Sequence, residues 1–188
     1  MYITDEKLYN YTDKISEEIR RKSWENVTFL IEAILSSKNS FNVYMGSFIS
    51  KVSAYFIEQY SNYPERVMSL PELVEQWVEG KEREQDYGRE LAECYTALAC
   101  MFQEKEDKEN TEKYYKKAEN FVNKRIKKYG DFWDYSDKAY LFLRFKKYEN
   151  IPDLLNKMKL LAVKDYEEKN CKDIEECCEK HSFYFYRF

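Results

Sequence analysis

From Tyr95 to Ala118 the chain reads YTALACMFQEKEDKENTEKYYKKA. Apolar side chains recur at helical spacing on both sides of a charged centre. Leu91, Cys94, Tyr95, Leu98, Met101 and Phe102 form one stripe, and Tyr114, Tyr115, Ala118, Phe121, Val122 and Ile126 form the other. Each has the three-and-four spacing of a helix that buries one face. The polar run Gln103 to Asn110 has nothing to give a core and predicts the turn between them. Gly130 follows the second stripe, where a residue free to take positive φ ends a helix. Two antiparallel helices joined by a short turn are predicted.

The flanking sequence continues the pattern. Thr4 is placed to cap a first helix whose stripe is Leu8, Tyr11, Ile15 and Ile19, with Asp5 and Glu6 in its first turn. Ser23 starts a second, carrying Val27, Leu30, Ile31, Ile34 and Leu35, and Ser36 to Ser40 is a polar break. Tyr44, Phe48, Val52, Tyr55 and Phe56 mark a third, stopped before Pro64. Ser69, Pro71 and Glu72 form a restart signal for a helix through Val74, Trp77 and Val78 toward Gly80, followed by a charged stretch from Lys81 to Asp86. Beyond Gly130, helices are expected over Trp133–Lys147, Ile151–Glu168 and Asp173–Lys180, then an aromatic tail, Phe183 to Phe188, that packs on the domain or on a partner.

Gly 4 and Pro 3 are too few for a turn-rich sheet protein, so the fold class is all-α. A length of 188 residues with 44% apolar content suits a single domain with a real core. Within it, residues 1–80 supply N-terminal helices, 89–168 the hairpins, and 171–188 the last helix and the tail. No run of about 18 apolar residues exists to cross a membrane. The opening Met1 to Glu6 lacks the basic and apolar blocks of a signal peptide, and five cysteines make an odd number. A cytoplasmic protein with reduced thiols is the expectation.

Tyr95 to Ala118 resembles a tetratricopeptide repeat. Tyr95 stands at the aromatic position of the first helix, Leu98 and Ala99 at the leucine and small-residue pair, and Phe102 at the next aromatic. Asp107 takes the acidic position of the turn, while Tyr115 and Ala118 match the second helix. Thr111 stands where alanine is usual and Glu106 where the turn glycine is usual; no proline follows the second helix. Shifted by about 40 residues, Tyr135, Ala139 and Phe142 repeat Tyr95, Ala99 and Phe102, and Ile151, Leu155 and Met158 repeat Thr111, Tyr115 and Ala118. Lys138 occupies the leucine position of this degenerate copy. The resemblance implies an array of antiparallel helical hairpins, as a superhelix or a bundle, whose concave face binds a peptide or another protein. Groove contacts would come from first-helix residues pointing away from the seam, namely Glu93, Thr96 and Cys100.

Chemistry-bearing constellations are scarce. His181 is the sole histidine, which excludes two-histidine metal motifs. If helix continues to it, Cys171, Cys178 and His181 share one face and make a weak zinc candidate, with Cys177 or Glu175 as a fourth ligand; buried or half-exposed reduced thiols are the plainer account. The four glycines are isolated, so no phosphate loop exists, and the carboxylates are spread along helix faces. No cofactor and no catalytic residue is expected. Charge is uneven: residues 63–112 hold 14 acidic and 6 basic residues, and residues 113–147 hold 11 basic and 4 acidic. The basic set, with Lys116, Lys117, Arg125 and Lys128 at its centre, reads either as a patch for an acidic protein segment or as one side of attraction between neighbouring helices. A net charge of −4 speaks against a dedicated nucleic-acid binder. The expected function is non-catalytic protein binding as an adaptor, chaperone or regulator. The alternative is an immunity-type inhibitor that blocks a toxin enzyme through the acidic surface at 63–112; an enzyme is a distant third. Oligomeric state is not legible.

Overall fold

A computed structural model describes residues 4–35, 43–59, 72, 75 and 86–180. Eight α-helices and no strand occur among the described residues. They are α1 (Asp5–Arg20), α2 (Trp24–Leu35), α3 (Val43–Glu58), α4 (Gly88–Glu104), α5 (Lys108–Lys128), α6 (Phe132–Arg144), α7 (Ile151–Leu161) and α8 (Asp165–Glu179). A single 3-10 turn, Tyr148–Asn150, precedes α7. The chain is all-α, and no helix among the described residues is long and apolar enough to cross a membrane. The expected break at Ser36, the signals around Pro64 and Pro71, the stretch Lys81 to Gln85 and the aromatic tail lie outside the described residues.

Contacts cluster into two compact units, Met1–Ala118 and Glu119–Phe188. In the first, α1 packs on α2 and α3, and α3 on α4. The apolar stripes explain this: Ile15, Val27, Ile31, Ile34, Phe48, Val52 and Phe56 are fully buried, each removing apolar surface from water. Trp24 of α2 meets the Tyr55 ring of α3 with centroids 5.4 Å apart. Across the α3–α4 contact, a Cβ at Gly46 would sit 2.9 Å from Glu90 Oε1, the far end of a flexible side chain.

In the second unit α6, α7 and α8 pack on one another, around Ala139, Leu143, Ile151, Met158 and Ile174. Polar ties set their register. Ser136 Oγ donates to Asn170 Oδ1 at 2.9 Å, and Asn170 Nδ2 donates to the Tyr140 hydroxyl at 2.9 Å. At the start of α6, Asp131 and Asp134 form a reciprocal capping box.

One boundary differs from the sequence expectation. The apolar spacing runs from Ile151 to Glu168 without a breaker, yet α7 stops at Leu161 and α8 begins at Asp165. The break is held by Glu167, whose Oε2 accepts from the backbone N–H of Val163 at 2.9 Å and of Lys164 at 3.2 Å. Asp165, Glu167 and Glu168 then place negative charge in the first turn of α8, where the helix dipole favours it.

Candidate binding surface

Three hairpins share one turn. Lys22, Glu106 and Lys146 have φ of 57°, 58° and 56°. In each turn the positive-φ residue donates its N–H three residues back, and the next residue donates five back. The pairs are Lys22 to Ile19 and Ser23 to Glu18; Glu106 to Gln103 and Asp107 to Phe102; Lys146 to Leu143 and Lys147 to Phe142. These double bonds satisfy the last carbonyls of a helix in the Schellman manner.

With the turns aligned, the second helices align as well. Val27, Thr111 and Ile151 fall together, as do Ile31, Tyr115 and Leu155, and Ile34, Ala118 and Met158. All but the half-buried Thr111 are buried. At the positions of Tyr95, Ala99 and Phe102 relative to the turn, the first hairpin carries Tyr11, Ile15 and Glu18.

In the central hairpin the six packing positions, Tyr95, Leu98, Ala99, Phe102, Tyr115 and Ala118, are all buried. Tyr114 stacks on Phe102 at 5.4 Å and on Tyr95 at 6.1 Å between ring centroids. The Tyr95 phenol donates to a Glu75 carboxylate oxygen. Burial, and then that carboxylate, push the phenol far above its usual pKa and keep its proton in place. Lys117 Nζ donates to the same hydroxyl at 3.2 Å, lies 3.3 Å from Glu75 and 3.5 Å from Glu72, and sits 4.7 Å over the Tyr95 ring. Lys113 reaches Glu72 at 3.7 Å. Attraction between the acidic and basic stretches was one of the two readings of the charge pattern; which carboxylates Lys117 meets was not legible, because Glu72 and Glu75 lie over forty positions away.

The remaining binding candidates fall as follows. Glu93 is exposed, Cys100 is half-buried, and Thr96 is buried with its hydroxyl donating to Ala92 O at 2.7 Å. Lys116 is exposed and pairs with Glu112 at 3.3 Å. In the second unit Arg125 Nε donates to Asp134 Oδ1 at 2.8 Å, with the carboxylate wholly buried. Lys128 lies 4.8 Å over the Tyr129 ring. Part of the basic run thus faces carboxylates inside each unit, and Arg125, Lys127 and Lys128 occupy the last turn of α5, where cations oppose the helix dipole.

On α8, Cys171 is buried while Cys177 and Cys178 are half-buried, and burial raises all three thiol pKa values. Such thiols are poor nucleophiles at neutral pH. Among the described residues no group of three or more His, Cys, Asp or Glu side chains is placed to hold a metal ion; His181 lies outside them. A groove of about 250 Å³ between α7 and α8 is lined by residues from Tyr148 to Lys159 and from Glu175 to Glu179. It escaped sequence reasoning because it depends on where α8 begins. No protein-family model, no curated protein and no solved structure matches this chain.

Proposed function

We propose that the chain is a non-catalytic protein-binding module of the cytoplasm, a tetratricopeptide-like array of helical hairpins that takes a peptide or a partner surface. The observation that carries this reading is the shared turn at Lys22, Glu106 and Lys146 with the aligned buried positions behind it. Arrays of such hairpins, where they stack, bind partners along the surface that the stacking forms. Within the first unit, the exposed Glu93 and the half-buried Cys100 on α4 are the contact residues, with Lys116 on α5 beside them in sequence order rather than in the packing seam. Thr96 has its hydroxyl turned inward to the backbone and serves packing.

The test is affinity capture from native extract with the full chain and with a Glu93→Lys/Cys100→Arg variant whose helicity by circular dichroism is unchanged. A protein captured by the unmodified chain and lost from the variant is the expected result. Recovery of the same proteins by both, or of none above background, would count against the reading.

A further inference from the structure

A single exposed apolar side chain needs no explanation, but α7 ends on a cluster of them. Leu160 is 86% exposed, Leu161 39% and Val163 81%, all at the turn that joins α7 to α8. Tyr166, 51% exposed, follows in the first turn of α8 and stacks on Trp133 with ring centroids 6.0 Å apart. The core face of α7 is already supplied by Ile151, Leu154, Leu155 and Met158, which are buried. Backbone hydrogen bonds fix the turn. Glu167 Oε2 accepts from the N–H groups of Val163 and Lys164, and Ala162 donates its N–H to Met158 O at 2.8 Å. The aliphatic side chains are therefore held in water, where covering them is favourable.

We propose that this turn inserts into the surface of a lipid bilayer that carries anionic headgroups. Charge complementarity selects that occupant. Residues 154–164 include Lys157, Lys159 and Lys164 and no carboxylate, and all three lysines are exposed. Their long stems let the ammonium groups stay at headgroup level while the aliphatic side chains go deeper. The carboxylates near the turn come from α8. Glu167 is buried and occupied by two backbone N–H groups, and Glu175 pairs with Lys159. Asp165 and Glu168 are exposed, but they lie in the first turn of α8, where the positive helix end offsets them, and Lys169 follows. Shape points the same way. Leu160, Leu161 and Val163 project from a turn and do not line the groove between α7 and α8. A bilayer accepts such a tip without a matching cleft. Tyr166 adds an apolar ring with a polar end, which suits a membrane–water boundary, and Lys164 Nζ sits 5.3 Å over that ring.

Sedimentation of the full chain with sucrose-loaded vesicles tests this. Phosphatidylcholine vesicles with about 30% phosphatidylserine should carry down several-fold more protein than phosphatidylcholine alone, and about 0.5 M salt should reverse much of that gain. Leu160→Ser/Val163→Ser should lose most of the vesicle-bound protein. Its helicity by circular dichroism should be unchanged, because both side chains are exposed. Three results overturn the proposal: no binding to the anionic vesicles, equal binding to the neutral ones, or equal binding by the double variant. Self-association of the unmodified chain in light scattering, abolished by the same substitutions, would assign the turn to a second copy and overturn it as well.

Discussion

Glu106 illustrates how a single position can be misjudged by its side chain. In the sequence it departs from the glycine usual at a repeat turn, yet its backbone takes the φ of 58° that glycine would supply. Lys22 and Lys146 do the same, so three turns hold side chains in a region that costs an L-residue about 1–2 kcal/mol. Glycine at each should raise stability by about 1 kcal/mol, less its own loss of chain entropy. Gly130, at φ 62° with only 3.1 Å between a built Cβ and Ile126 O, should respond oppositely to Gly130→Ala. Urea midpoints check both signs; a loss on Glu106→Gly would contradict the turn geometry. Carboxylates at two of these turns bring a pH dependence. Hydrogen bonds from Asn26 and Ser23, aided by Arg21, hold Glu18 below the usual carboxylate range, and bonds from Asn110 do so for Asp107. The folded chain therefore binds fewer protons than the unfolded one near pH 4, so this stability is complete above about pH 4.5 and is lost as pH falls through the lowered values. Removing the leading cause with Asn26→Ala should flatten the decline in urea midpoint between about pH 6 and pH 3. Parallel declines in both proteins would show that Glu18 contributes nothing.

Among the helices, the start of α6 depends on a charge that the sequence assigns to a surface. Asp134 is wholly buried, and its Oδ1 takes the Arg125 guanidinium while its Oδ2 takes the Asp131 N–H at 3.3 Å. Removing one partner of a buried pair leaves an unpaired charge and costs about 3–5 kcal/mol, unlike an exposed pair at under about 1 kcal/mol. Arg125→Met should therefore lower stability by about 3 kcal/mol, discounted for the partial exposure of the arginine, and Asp134→Asn added to it should restore part of the loss. A loss of only a few tenths would make the pair an ordinary surface contact. The α7–α8 break teaches a related lesson. Leu160, Leu161 and Val163 prolong an apolar run that reads as one helix, and no glycine or proline interrupts it. A single carboxylate, Glu167, captures two backbone N–H groups and ends the run. Such local capture is invisible to periodicity, which counts only apolar faces.

Taken together, two compact units imply two cooperative blocks of hydrogen exchange. Ile174 is fully buried in the second unit, so Ile174→Ala should cost about 2–5 kcal/mol there. Native-state exchange should then quicken across Glu119–Glu179 more than across α1 to α4. An equal rise in both would mean that the chain unfolds as one block. The division into helices, their amphipathic faces and the hairpin at Tyr95 to Ala118 were legible in the amino-acid order. Those features follow from local spacing, low glycine and proline, and caps such as Thr4 and Gly130, all of which act within a few residues. Other features required the folded chain. Which carboxylates Lys117 and Arg125 meet, namely Glu72, Glu75 and Asp134, was decided by the fold, and so was the positive φ at Lys22 that ends the first helix. The physical reason is the same for each: ion pairing and burial depend on distances across the chain, and φ at a turn depends on hydrogen bonds rather than on residue type.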